Sequence, residues 1–72
     1  MSLLEELADK LAQEALHVAE TTGDETAIDR VAEAIGASST TMEEAYLTAV
    51  RVRRAEARAR ALLAELKRDA GP

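Results

Sequence analysis

Residues 39–69 read STTMEEAYLTAVRVRRAEARARALLAELKRD, a run with neither Gly nor Pro. At 1.5 Å per residue, an unbroken helix over this stretch is about 46 Å long. Composition supports the helix, because Ala, Leu, Glu and Arg dominate and β-branched residues are few. Glu43 and Glu44 stand at its start and Lys67 and Arg68 at its end, matching the helix dipole at both ends. Ser39, Thr40 and Thr41 are candidate N-caps, and Thr40 with Glu43 and Thr41 with Glu44 both have capping-box spacing. Gly71 and Pro72 are the stop signals.

Two apolar stripes run along this helix. Ala45, Ala49, Val52, Glu56, Ala59, Leu63 and Leu66 alternate steps of four and three, the spacing of a coiled-coil seam. Small residues in a seam let helix axes approach closely, while Glu56 interrupts it and has either to pair, with an Arg for instance, or to reach solvent. Met42, Tyr46, Ala49 and Val50 face another direction and suit packing on a preceding helix. A helix with two apolar directions needs at least two neighbours.

Outward from this stretch, two shorter helices precede it. Leu3, Leu4, Leu7, Ala8, Leu11, Ala12, Ala15, Val18 and Ala19 recur at helical spacing, and Ser2 with Glu5 reads as a capping box. The run Thr21 to Asp24 breaks the pattern, with Gly23 as the helix end, Asp24 as the next cap and Thr22 with Glu25 as a competing box. A second helix carries Ala27, Ile28, Val31, Ala32 and Ile35 and ends at Gly36. The expected chain is therefore all-α, one domain over residues 1–72, with helices at about 3–21, 24–36 and 39–69. The consistent capping and narrow residue economy have the style of an idealised or designed helical assembly.

Two arrangements satisfy these patterns. In a broken hairpin the first two helices run end to end along the third, setting Leu3, Leu4, Leu7 and Leu11 beside Leu62, Leu63 and Leu66. In a compact three-helix unit the chain reverses at Gly23, and the last three leucines project beyond the body. Either arrangement calls for a second chain, because a 72-residue monomer without Cys buries little core. A homo-oligomer, with a dimer favoured, or another helical protein is the expected partner.

Charge is divided between the halves. Residues 1–50 carry eleven acids against Lys10 and Arg30, a net −9, and residues 51–72 carry seven bases against three acids, a net +4. These segments attract each other within a chain or between chains.

Val31, Ala32, Ile35, Gly36, Ala37, Met42 and Ala45 resemble the skeleton of a helix-turn-helix motif, over residues 28–47 only. The resemblance implies a following helix that enters the DNA major groove, with Ser39 and Thr40 near the bases and Arg51, Arg54 and Arg58 on phosphates. Glu43 and Glu44 at outward positions oppose a polyanion, so nucleic-acid binding is the alternative to protein association.

Chemistry-bearing constellations are sparse. His17 lies on the polar face of the first helix, and one His with no Cys supplies no familiar zinc set. No hydroxyl stands beside a His in a nucleophilic pattern. The expectation is a non-enzymatic interaction module with no cofactor, metal or small-molecule substrate, self-associating through Ala45, Ala49, Val52, Ala59, Leu62, Leu63 and Leu66. No apolar run spans a membrane and no leader is evident, so the default expectation is a soluble cytoplasmic chain.

Overall fold

The computed structural model describes residues 1–71. It contains three helices: α1 (Leu3–Thr22), α2 (Ala27–Gly36) and α3 (Thr40–Ala70). No strand occurs among the described residues. Pro72, half of the expected stop signal, lies outside them.

Local chemistry explains each boundary. The Ser2 hydroxyl oxygen accepts the Glu5 backbone N–H at 3.2 Å, capping α1. Gly23 closes the helix at φ 73°, a left-handed conformation that costs glycine little, and its N–H donates to the Ala19 carbonyl. The next helix begins at Ala27, three residues after the expected start at Asp24. Asp24 caps a turn instead: its carboxylate accepts the Thr26 N–H at 3.0 Å and the Thr26 hydroxyl at 2.6 Å. The Thr22–Glu25 box does not form: the Thr22 hydroxyl donates to the Val18 carbonyl at 2.7 Å, and its oxygen accepts the Asp24 N–H at 3.3 Å and not that of Glu25.

At the second connection Ser39 is the cap, accepting the Met42 N–H at 3.1 Å. Neither threonine box is used, since each would start the helix a residue or two later. The other end matches expectation, with α3 closing at Gly71, whose N–H donates to the Arg68 carbonyl at 3.1 Å.

The chain reverses at Gly23. α2 lies beside α1, the two flanking a groove with Leu11 and Val18 on one wall and Ala27, Val31 and Ile35 on the other. α3 packs against both, with its larger contact on α1. This is the compact three-helix unit, and the broken hairpin is excluded: Leu3, Leu62, Leu63 and Leu66 are each more than half exposed and do not meet.

The core is built of small side chains. Ala8, Ala12, Ala15, Ala19, Ala27 and Ala32 are buried together with Ile28, Tyr46 and Val50. On α1 the alanines take the inside, Leu4, Leu11 and Leu16 are half-buried, and Leu3, Leu7 and Val18 are exposed. A methyl-only face, met by Ala45 and Ala49 of α3, lets helices approach closely and leaves the longer side chains at the edges. The expected stripe Met42, Tyr46, Ala49 and Val50 does face inward. Tyr46 is fully buried, and its hydroxyl donates to the Ile28 carbonyl at 2.9 Å, so no buried side-chain polar atom lacks a partner among the described residues.

This body engages only the first half of α3. After Val50 no described residue is buried, and from Ala57 onward all are exposed. The Cα radius of gyration is 14.8 Å, whereas a compact chain of this length has one of about 11 Å.

Candidate interaction surface

The seam read from the sequence divides at the edge of the body. Ala45 and Ala49 are half-buried against their own chain's core, so two of the seven expected interface residues are already partly covered. Val52 is 59% exposed and continues into the free part of α3, where Ala59, Leu62, Leu63 and Leu66 are also exposed.

Where α3 leaves the body, it forms one wall of a groove of about 620 Å³. Ala45, Thr48, Ala49, Val52, Arg53 and Glu56 supply this wall, and Met1, Glu5 and Asp9 of the α1 end supply the other. The seam thus runs from the floor of a groove onto an uncovered helix. The groove was not legible in the sequence, because it depends on where α1 crosses α3.

Of the two options open to Glu56, pairing and solvent, the structure shows pairing with two arginines while the side chain stays partly exposed. Arg53 Nη1 donates to its Oε1 at 3.2 Å, and Arg60 donates to Oε2 from Nε at 3.2 Å and Nη2 at 3.1 Å. Hydrogen bonds from Arg60 and then Arg53 hold the Glu56 carboxyl below its ordinary range. Arg53 also makes a two-pronged contact with α1, Nε to Asp9 Oδ1 at 2.9 Å and Nη2 to Oδ2 at 2.6 Å. That contact joins positions 44 residues apart, and no local pattern announces it.

The Arg53 guanidinium holds the Asp9 carboxyl below its ordinary value of 3.8. Asp9 therefore binds its proton less readily when folded, and the unfolded chain protonates first as pH falls. The stability supplied by ionised Asp9 is whole above the ordinary carboxylate range and is lost as pH drops through the depressed value. Asp9→Asn should lower Tm at neutral pH, with the difference from the parent shrinking toward about pH 2 in thermal melts. An unchanged Tm difference across that range would remove this role from the carboxylate charge.

No family model, curated protein or solved structure matches the chain. The surface itself therefore carries the functional reading.

The residues implied by the helix-turn-helix resemblance are placed unevenly. Ser39 is half-buried and engaged as a cap, and Thr40 is exposed beside it. The Glu43 carboxylate lies over Gly36, within 2.5 Å of where a side-chain Cβ would stand there. Arg51, Arg54 and Arg58 are exposed and make no ion pair among the described residues. His17 is also exposed, and no group of three potential metal-binding side chains forms among the described residues. No described helix is long and apolar enough to cross a membrane.

Proposed function

We propose that this chain is a helical self-association module whose contact surface is the free half of α3. One observation carries this reading: residues 57–70 form about four turns of helix with no buried side chain, yet present Leu62, Leu63 and Leu66, each more than half exposed. An isolated helix this short is marginal in water, and most helical stability in proteins comes from packing an apolar face. A clustered apolar strip of this kind marks an association site.

The exposed area supports the same reading. The single chain exposes 5418 Å², whereas a compact folded chain of 7.7 kDa exposes about 4,300 Å². The excess, about 1,100 Å², is comparable to the roughly 800 Å² that each partner contributes to a standard interface. Catalysis has no comparable support: of the groove's carboxylates, Asp9 and Glu56 are paired with arginine and Glu5 is exposed at the end of α1.

Light scattering on a size-exclusion column tests the proposal. The expected result is a mass above that of one chain, and Leu63→Asp should shift it to the single-chain mass by placing a charge in the apolar strip. Because Leu63 is exposed in one chain, the variant should keep the cooperative melt of the buried body, with any loss of helical circular dichroism limited to the free turns of α3. A parent chain that stays at single-chain mass at every concentration would sink self-association. Duplex DNA binding that weakens steeply with salt would then point to the Arg51, Arg54 and Arg58 row.

A further inference from the structure

Resting on the self-association proposed above, we infer that the partner is a second copy of this chain, with the two α3 helices antiparallel about a two-fold axis at Ala59, and Leu66 of each seated in the other's groove. Three observations carry the inference.

The first is the symmetry of the exposed strip. Val52 lies seven residues before Ala59 and Leu66 seven after, so an antiparallel pair centred there sets Leu66 of one copy against Val52 of the other. Ala55 and Leu63 are likewise four residues to either side. A methyl group at the centre allows the closest approach where the two helices meet. Each copy offers the same patch and receives the same patch, as a closed two-fold dimer requires.

The second is the shape of the receiving site. The groove opens at Val52, where the partner's Leu66 would arrive, and Met1, Ala49 and Ala45 supply further apolar surface. Large apolar groups are missing from its floor because Ala45 and Ala49 are small. An incoming leucine fills the space those alanines leave.

The third is charge. Within one chain the basic end of α3 meets none of the α1 or α2 acids, the only α1–α3 bridge being Arg53 to Asp9 among the described residues. Lys67, next to Leu66, would come to the groove wall that carries the partner's α1 carboxylates, where exposed Glu5 makes no ion pair within its own chain among the described residues. The acidic body and basic tail thereby satisfy each other between copies, which one chain does not achieve alone.

The chain has no cysteine, so single-cysteine variants at exposed positions report the pairing directly. Two Leu66 positions in the proposed dimer lie about 21 Å apart along the axis, far outside the Cα separation of a disulfide. Leu66→Cys alone should therefore form disulfide slowly. An equimolar mixture of Leu66→Cys and Val52→Cys chains should form the mixed disulfide at least tenfold faster, read by mass spectrometry at early times. Rapid Leu66→Cys homodisulfide in a dimer would mean parallel helices and would overturn the pairing while leaving self-association intact. A dimer with no fast cross-link in either sample would also overturn it, placing the contact elsewhere. A single-chain mass for the parent at all concentrations would overturn both statements.

Discussion

Tyr46→Ala should remove a large share of the chain's folding stability and lower its urea midpoint sharply. Tyr46 is the one large side chain with no solvent exposure, and it sits where α3 meets α2. Truncating a buried aromatic costs about 3–5 kcal/mol through lost transfer energy and the cavity left behind. A domain of this length has a total stability of about 4–11 kcal/mol at the usual value per residue. No other aromatic exists in the chain to fill the space. Urea titrations followed by circular dichroism would measure the loss. Tyr46→Phe separates packing from the hydrogen bond, with an expected cost of about 0.5–1.5 kcal/mol. If Tyr46→Ala melts within a degree or two of the parent, the α2–α3 contact does not hold the body together.

The second large effect has the opposite sign of volume. Ala12 has no exposed surface and lies midway along the alanine line of α1. Ala12→Leu adds three carbon atoms where the helices approach closely, and overpacking of this kind costs about 1–3 kcal/mol, occasionally more. Its helix propensity is nearly that of alanine, so the loss would come from packing and not from the helix itself. Glu14→Leu is the control, because Glu14 is exposed two positions on and makes no side-chain hydrogen bond or ion pair among the described residues, and such surface changes stay within about 0.5 kcal/mol. Equal melting temperatures for the two variants would show that the alanine line has room to spare.

Much of the fold was legible because helices announce themselves locally. Ser2, Gly23, Gly36 and Gly71 mark boundaries through chemistry within a few residues, and the inward stripe containing Tyr46 follows from spacing alone. The exchange of leucine for alanine at the core was not legible. Leu3 and Leu7 outweigh Ala8 and Ala12 in any apolar count, and only the close approach of another helix reverses their order. The direction after Gly23 was also open, since both arrangements buried apolar faces. The start of α2 shifted because Asp24 has two ways to satisfy a backbone N–H, and the turn at Thr26 won.

The candidate surface was half legible. Leu62, Leu63 and Leu66 stood out as the large apolar side chains of the last helix beyond Val52, left projecting in one of the two arrangements. The division of the seam did not, because Ala45 and Ala49 look like Ala59 in the sequence and differ only in what lies above them. The groove beside Val52 depends on where the start of α1 meets the first half of α3.

The alanine face of α1 has a mechanical consequence. Methyl groups in a row form a surface with little relief, so helices resting on it meet few ridges that would resist sliding. Area favours contact at many offsets nearly equally. Two directed contacts select one offset: the Tyr46 hydroxyl on the Ile28 carbonyl toward one end of the body, and the Arg53 fork on Asp9 toward the other. Adhesion and alignment are thus assigned to different residues. Changing Arg53 or Asp9 would then do more than weaken the body: it would free α3 to shift lengthwise and carry its projecting leucines to a new position.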